Sequence, residues 1–339
     1  EMRETAYKIA FSDVEKIIKL MPSIKNEAKK SKIREKEVNQ SMIKSVAKKL
    51  RQKGYRIENV VTRARVPVIK MKDPETTVSI DLVFNNLLAV HNTRLIKTYV
   101  EFDPRSKILI YLVKNWANKK NINDATMGTF SSYCLVIMAI HFLQSVGILP
   151  NLQGKEARML QFNEDFSEMK IDQKTLSHKN KENKPSKPFI RDGIDITFLD
   201  DICSAKTLPR GPYLQLNRPT GNLTIADIVY GFFKYYACDF DFLKHVVTIH
   251  LDREHLPRMK QNLWPKNKAW KISVEDPFLT ADTKDSHDLA NAVSSQGQKR
   301  IISAFQSTYL GLRSGQSSSW NEVLSAEIPL RPKKTKVNR

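Results

Sequence analysis

The stretch TTVSIDLVFNN, residues 76–86, has the pattern of a β-strand that carries an aspartate in its middle. Side chains alternate between the two faces of a strand, so Asp81 points away from the face that holds the apolar residues. Those apolar residues are Val78, Ile80, Leu82 and Phe84. An aspartate in this setting is most often a solvated residue on a half-exposed antiparallel sheet, and a catalytic or metal-binding role is the alternative.

The overall composition predicts a globular chain with an anionic partner. The chain has 339 residues, 41% of them hydrophobic, which is enough for a substantial core and favours two domains. Lysine and arginine together number 56 against 36 acidic residues, which gives a formal net charge of +20. A surplus of this size indicates a partner rich in phosphate, such as a nucleic acid.

Three features of the sequence bear on the cellular compartment. The longest apolar run, residues 134–143, is shorter than the roughly 18 residues of a membrane span. The first residues lack the basic and apolar regions of a secretory signal, and the cysteines have no zinc or redox spacing. We therefore expect a cytoplasmic protein, with a nuclear or mitochondrial one as the alternative, that is not secreted and has no membrane segment.

The order of the predicted elements indicates an α+β protein. Two helical candidates, an extended run and the Asp81 strand form a small sheet domain, residues 1–104. We expect a larger, mostly helical domain over 105–325, with a mobile surface insertion near 154–190, and a basic tail over 326–339. The helices of this domain are predicted near residues 105–120, 128–147, 224–240 and 288–312, with a strand-like segment at 245–251.

The stretch GTFSSY, residues 128–133, is a candidate phosphate-binding turn. A glycine and small hydroxyl residues lead directly into a helix, whose N-terminal amide groups and dipole favour an anion. Ser131 and Ser132 add hydroxyl donors, and Lys114 on the preceding helix supplies a positive charge. Simple helix capping by the serines is the alternative. Tyr133 either belongs to the core or offers its ring face to a base.

Seven ordered motifs resemble one enzyme family. They are RARVPVIKM (63–71), SIDLVFNNLLAVHNT (79–93), LVKNWANKKNIN (112–123), GTFSSY (128–133), LPNLQ (149–153), GFFKYYA (231–237) and EDPF (275–278). Their order and spacing are similar to those of the terminal uridylyltransferases and related template-independent poly(A) polymerases, within the polymerase beta-like nucleotidyltransferases. The resemblance implies a small nucleotidyltransferase sheet domain, a larger helical poly(A)-polymerase-associated domain, and an active site in the cleft between them.

The same resemblance implies a reaction and its substrates. The chain is expected to add UMP from UTP to a single-stranded RNA 3′ end without a template, as a monomer, by a two-metal mechanism with Mg²⁺ or Mn²⁺. Two alternatives stay open: an ATP-preferring poly(A) polymerase of the same family, and a catalytically inactive relative that binds nucleotide or RNA.

The resemblance assigns Asp81 as the third metal-binding carboxylate, and Asp13 and Glu15 in FSDVEKIIKLM (11–21) as candidates for the first two. The family places a Gly-Ser turn and then Ser-Asp-x-Asp there, so this chain departs from the pattern. Ser12 and Glu15 also form a capping box before an apolar stripe, which favours a helix instead. Three explanations stay open: a degraded acid pair, a diverged active one, or a sheet domain that is incomplete at its N-terminus.

The nucleotide-binding residues are likewise implied by the resemblance. Asn92 is expected to contact the ribose, Lys114 and Ser132 the triphosphate, and Tyr133 the base by stacking. Asp276 and His287 are expected at the base edge. The family often carries a second lysine two residues after the tryptophan of its K-x-W-x-K pattern; this chain has Asn118 there, with Lys119 adjacent.

Overall fold

The structure is a computed structural model that combines helices with a small antiparallel sheet, as the α+β prediction states. It describes residues 32–63, 66–84, 86–168, 189–191, 193–210, 214–250, 259–260, 270–280, 286–315, 320 and 322. The chain forms two compact units, Glu1–Val90 and His91–Arg339. None of the helices in the described ranges is long and apolar enough to cross a membrane.

The elements are numbered here in chain order within the described residues. The first unit holds α1 (Lys32–Gln52), β1 (Arg56–Val61), β2 (Val68–Lys72) and β3 (Ser79–Val83), and α2 (Leu87–Phe102) follows. The second unit then holds α3 (Pro104–Lys119), α4 (Ser132–Ser145), α5 (Lys155–Glu168), β4 (Ile190–Arg191), β5 (Ile194–Asp195), α6 (Ile202–Ala205), α7 (Ile225–Lys234) and α8 (Ser295–Ser314). A π-helical turn, Tyr235–Asp239, extends α7.

The first unit is an antiparallel sheet in the order β1-β2-β3 that packs against α1. The strand alternation predicted around Asp81 is confirmed, since Ile80 and Phe84 are buried while Ser79, Asp81 and Val83 are exposed. The buried side of the sheet covers one face of α1, and their shared core contains Ile43, Val46, Leu50, Ile69 and Met71. This packing leaves the face that carries Asp81 in solvent.

The second unit is built on α3, α4, α7 and α8. Helix α3 packs against α4 and α7, and α7 packs against α8. Trp116 of α3 is fully buried between Phe233 and Phe305, and its indole N–H donates a 2.8 Å hydrogen bond to the Thr308 hydroxyl. A satisfied indole N–H lets a large aromatic side chain join three helices without an unpaired polar atom.

The helices begin and end where local chemistry predicts. Asp103 caps α3 and Thr224 caps α7, the latter in a capping box with Asp227. Gly147 follows α4 with a φ of 74°, a left-handed conformation that favours glycine after a helix. The predicted helices over 105–120, 128–147 and 224–240 are therefore confirmed, and the last helix begins at Ser295 rather than at residue 288.

The strand-like segment 245–251 is not a continuous strand in the part of it that the structure describes. It forms isolated bridges, His245 to Met259 and Val247 to Val274. The Val247 carbonyl accepts from the backbone N–H of Glu275 at 2.9 Å. The carbonyl groups of Thr248, Ile249 and His250 contact side chains instead, as the 2.7 Å contact between Thr248 O and the His141 ring shows. Buried apolar residues of this kind cannot be assigned to a strand from their pattern alone.

Two further elements differ from the sequence expectations. Helix α2 follows the Asp81 strand and covers residues for which the sequence predicted no helix. Helix α5, with its buried Ala157, occupies the beginning of the segment 154–190 that was predicted as an insertion. Residues 169–188 of that segment lie outside the described residues.

Candidate functional site

Asp81 lies at the centre of β3 on the exposed face of the sheet. Its cross-strand neighbour is Lys70 of β2, and the ammonium lies 3.9 Å from the carboxylate. The Lys70 side chain is 49% exposed and the Asp81 side chain is 58% exposed, so the ion pair is weak and does not fix the carboxylate. The strand therefore presents an accessible carboxylate on a rigid element.

The carboxylate chemistry fits a hard divalent cation such as Mg²⁺ or Mn²⁺, which prefers oxygen ligands. Asp81 supplies one such ligand. Asp13 and Glu15, the other predicted ligands, lie outside the described residues. Among the residues that the structure does describe, no group of three or more His, Cys, Asp and Glu side chains could hold a metal ion.

The start of α4 separates the roles of its two serines. The Ser131 hydroxyl accepts a 3.2 Å hydrogen bond from the backbone N–H of Cys134, so this residue is the helix cap. Ser132 is exposed, and its hydroxyl donates to the side-chain oxygen of Asn123 at 3.1 Å. Lys114 is half-buried on α3, which packs against α4. Lys114 and Ser132 thus lie on neighbouring helices.

Tyr133, the next residue of α4, has a half-buried ring and a buried hydroxyl group. Among the described residues, its hydroxyl oxygen has no hydrogen-bond partner. Burial raises the pKa of Tyr133, and the nearby charge of Asp276 raises it further. The phenol therefore stays protonated at neutral pH and retains an unused donor close to a carboxylate.

Asp276 is buried in the turn of the EDPF motif. Its Oδ1 accepts hydrogen bonds from the backbone N–H groups of Phe278 and Leu279, at 3.0 and 3.2 Å. The turn is also fixed from outside, because Gln153 donates to the Pro277 carbonyl at 2.9 Å. That contact joins the LPNLQ and EDPF motifs, so both of these segments hold the Asp276 carboxylate in place.

His287 is half-buried and lies directly against this turn. Its carbonyl accepts from the N–H of Asp276 at 3.1 Å, and its own N–H donates to the Leu279 carbonyl at 2.9 Å. The next residue, Asp288, is buried and accepts hydrogen bonds from two backbone N–H groups, with a pKa that burial raises. Asp276 thus lies near Tyr133 and is bonded to the His287 backbone. We call these three residues the base-edge cluster, after the role that the sequence resemblance implies for them.

Two family models match separate segments of this chain. Residues 12–101 match the family model for the central palm domain of mitochondrial-like poly(A) RNA polymerase, and residues 224–281 match that of the Cid1 family poly(A) polymerases. Poly(A) RNA polymerase GLD2-A of Xenopus laevis is 33% identical over 65% of this chain and 36% of its own length. The mouse (Mus musculus) GLD2 is 31% identical over 82% of this chain and 47% of its own length.

A solved structure extends this likeness to the fold. A mutant of the Cid1 poly(U) polymerase bound to MgATP has a TM-score of 0.61 and 27% identity, over 85% of this chain and 76% of that one. The chain belongs to the polymerase beta-like nucleotidyltransferases of the poly(A) and poly(U) polymerase family. It spans less than half the length of the curated GLD2 relatives just described, 36% and 47%.

The remaining predicted site residues of this family member lie on α2 and α3. Asn92 of α2 is half-buried, and its side-chain oxygen is buried without a hydrogen-bond partner among the described residues. At the end of α3, Asn118 and Lys119 are exposed. The adjacent Lys120 is buried, and burial lowers its pKa. Lys119 is therefore the accessible cation at this end of α3.

The sequence patterns did not predict a contact between the GTFSSY motif and the start of α8. The N–H of Ser294, at the start of α8, donates a 2.9 Å hydrogen bond to the carbonyl of Gly128 in GTFSSY. The two residues lie 166 positions apart in the chain. The sequence shows only the glycine at position 128. Its φ of 73°, which marks the special conformation of the turn, cannot be read from a sequence.

Proposed function

We propose that this chain adds UMP from UTP to RNA 3′ ends without a template. The observation that carries the proposal is the base-edge cluster, in which the half-buried Tyr133 ring lies near the Asp276 carboxylate and the Asp276 turn is bonded to the backbone of His287. Such a combination supplies a stacking surface and groups that distinguish one base from another. Membership of the poly(A) and poly(U) polymerase family supports the reaction type.

In the proposed complex, the base stacks on Tyr133 and its edge faces His287 and Asp276. A uracil edge has an N–H donor between carbonyl acceptors, so an imidazole N–H can donate to one of the carbonyls. The Asp276 carboxylate takes part in the remaining polar contacts, directly or through water. The hydrogen bonds that hold Asp276 and the His287 backbone fix these groups before the nucleotide binds.

Asn92, Lys114 and Ser132 are proposed to bind the sugar and phosphates. The buried side-chain oxygen of Asn92 suits a ribose hydroxyl, because its acceptor capacity is unused among the described residues. Lys114 and the exposed Ser132 hydroxyl are proposed to contact the triphosphate near the positive end of α4. These contacts orient the nucleotide without distinguishing between bases.

Asp81 is proposed to hold a divalent metal ion, together with Asp13 and Glu15. When bound, Mg²⁺ or Mn²⁺ neutralises charge on the triphosphate and favours deprotonation of the RNA 3′-hydroxyl. The exposed position of Asp81 on a sheet suits this role, since a carboxylate on a rigid strand needs little reorganisation. The RNA itself is proposed to bind through its phosphates, to which the net charge of +20 is complementary.

A second candidate function is the addition of AMP from ATP. The curated relatives named above are poly(A) RNA polymerases, and the mouse GLD2 matches 82% of this chain. An adenine edge presents an amino donor, which the Asp276 carboxylate can accept. By contrast, the Cid1 relative is a poly(U) polymerase whose structures address selectivity for UTP. We favour UTP because of His287.

The base choice can be tested with the His287→Ala variant. We expect the wild type to incorporate UTP more efficiently than ATP, and the variant to shift clearly towards ATP. Loss of one base-edge hydrogen bond should cost on the order of 1 to 3 kcal/mol of discrimination. His245→Ala, which removes another half-buried histidine, is the control that should keep the wild-type ratio. A wild type that prefers ATP would favour the second candidate, and an unchanged ratio in an active His287→Ala would exclude His287 from base recognition.

A further inference from the structure

The start of α8 approaches the GTFSSY turn as closely as backbone atoms allow. A Cβ atom placed on Gly297 would lie 1.8 Å from the carbonyl oxygen of Gly128 and 2.8 Å from its carbonyl carbon. Both neighbours are backbone atoms, which cannot rotate away as the end of a side chain can. Position 297 therefore requires glycine if the first turn of α8 is to keep this distance from Gly128.

Ser294 lies between the two glycines and fixes both of them. Its hydroxyl accepts a 3.0 Å hydrogen bond from the Gly297 N–H as the cap of α8, while its own N–H donates to Gly128 at 2.9 Å. A Cβ on Gly128 would lie 2.6 Å from the Ser294 hydroxyl oxygen. We call Gly128, Ser294 and Gly297 the glycine junction.

The two chain segments that meet at the glycine junction both lead to the base-edge cluster. On one side, Gly128 is followed by Thr129, whose buried side chain is held by Asp124 at 2.8 Å, and then by the start of α4 with Tyr133. On the other side, the segment 288–293 runs back from Ser294 to His287. The glycine junction thus connects the segment that carries Tyr133 to the segment that carries His287.

The segment 288–293 is held firmly enough to transmit a displacement. Asn291 donates to the Asp288 carbonyl at 3.0 Å, and Val293 donates to the Ala290 carbonyl at 2.9 Å. The side chains of Ala290 and Val293 are 1% exposed. Two successive turns with buried side chains leave little room for the segment to absorb a shift at its end, since packed interiors transmit strain.

We propose that Gly297 is a positioning residue that sets the separation of His287 from Tyr133 and thereby the choice of base. This inference rests on the proposed function of the base-edge cluster. Hydrogen bonds to a base edge require distances of about 2.7 to 3.2 Å, so a displacement of about 1 Å at His287 is enough to lose one. A side chain at position 297 would force the first turn of α8 away from Gly128 by at least this distance.

The test compares Gly297→Ala with Gly221→Ala in an RNA-extension assay, with UTP and ATP measured separately. Gly221 has open space around its Cα, so its alanine variant controls for the substitution itself. We expect Gly297→Ala to raise the KM for the preferred nucleotide roughly tenfold and to bring the UTP-to-ATP ratio towards one. The turnover number kcat and the affinity for RNA should change by less than about twofold, because the junction contains neither Asp81 nor the basic residues proposed to contact the RNA phosphates.

Ser294→Gly is the second variant, and it tests the proposal if Gly297→Ala does not fold. Glycine is well tolerated at a helix cap, so this variant loosens the junction without unfolding α8. We expect a change of the nucleotide ratio in the same direction. A folded Gly297→Ala with wild-type KM and ratio would overturn the proposal, as would an unchanged ratio in Ser294→Gly when Gly297→Ala fails to fold. A wild type that extends RNA with no nucleotide would instead overturn the proposed function.

Discussion

The Ser131 hydroxyl accepts a 3.2 Å hydrogen bond from the N–H of Cys134, which makes Ser131 the cap of α4. The next residue, Ser132, contributes no cap and keeps an exposed hydroxyl that contacts Asn123. Two adjacent serines therefore have separable roles, one in the stability of the helix and one in the proposed contact with the triphosphate.

Alanine variants of the two serines should separate stability from nucleotide binding. Ser131→Ala should lower the free energy of unfolding by about 1 kcal/mol, because the Cys134 N–H loses its acceptor. Ser132→Ala should change the free energy of unfolding by less than about 0.5 kcal/mol and raise the KM for the nucleotide roughly threefold to tenfold. Urea unfolding and steady-state kinetics measure the two effects. A wild-type KM in Ser132→Ala would exclude its hydroxyl from the nucleotide site.

Asp81→Asn should abolish nucleotide addition and leave the affinity for RNA within about twofold of the wild type, since phosphate contacts of lysine and arginine dominate that affinity. The amide keeps the size of the side chain but loses the negative charge that a metal ion requires. Glu58→Gln is the matched control, because it neutralises another exposed carboxylate of the same sheet, paired with Lys72 at 3.0 Å. Extension by Asp81→Asn at the wild-type rate would end the metal-binding hypothesis.

Acid should destabilise the second unit through His141. This histidine is fully buried, its ring lies 2.7 Å from the Thr248 carbonyl and 3.1 Å from the Tyr235 hydroxyl, and burial lowers its pKa to about 4. The carbonyl only accepts, so Nδ1 carries the proton and Nε2 accepts from the tyrosine. Such a neutral ring suits the buried site, whereas burial disfavours a protonated one.

The direction of the pH effect follows from the two states. In the unfolded chain the histidine has a pKa of about 6.5, so below that pH the unfolded state binds more protons than the folded one. The stability is therefore full above about pH 6.5 and falls as the pH drops towards 4, by roughly 2 kcal/mol between about pH 7 and about pH 5. The difference in unfolding free energy between wild type and His141→Gln should shrink by that amount. A difference independent of pH would contradict this account.

RNA binding should weaken steeply as salt is added. A chain with a net charge of +20 neutralises phosphates and releases counterions, so log affinity should fall linearly with log salt. We expect a loss of at least about tenfold between roughly 50 and 200 mM salt, with little dependence on RNA sequence. Fluorescence anisotropy with labelled single-stranded RNA measures both. A flat plot would show that the charge surplus does not serve RNA binding.

The sequence predicted those features that depend on neighbouring residues. The exposed position of Asp81 follows from strand alternation, and the cap at Ser131 follows from the alternative interpretation of the GTFSSY serines as helix caps. Helix α2 was missed because its first residues continue the apolar strand of Asp81, and pattern alone places element boundaries poorly.

Features that depend on distant residues could not be predicted in this way. The carbonyl groups of residues 248–250 contact side chains of other segments, such as Thr248 to His141, so the buried residues there need no continuous strand. The glycine junction joins residues 166 positions apart, and neither glycine shows in the sequence what it touches. The base-edge cluster was predicted from family motifs, and the contacts that fix Asp276 against His287 emerged only from the fold.

The central claim is that this chain extends RNA 3′ ends without a template, and RNA extension tests it most directly. The purified chain is incubated with a labelled single-stranded RNA, Mg²⁺ or Mn²⁺, and each of the four nucleoside triphosphates separately. We predict 3′ extension with UTP above that with ATP, no requirement for a complementary strand, and loss of extension when EDTA removes the metal. RNA that is bound but not lengthened by any nucleotide, with either metal, would contradict the claim and favour a relative that binds RNA without catalysis.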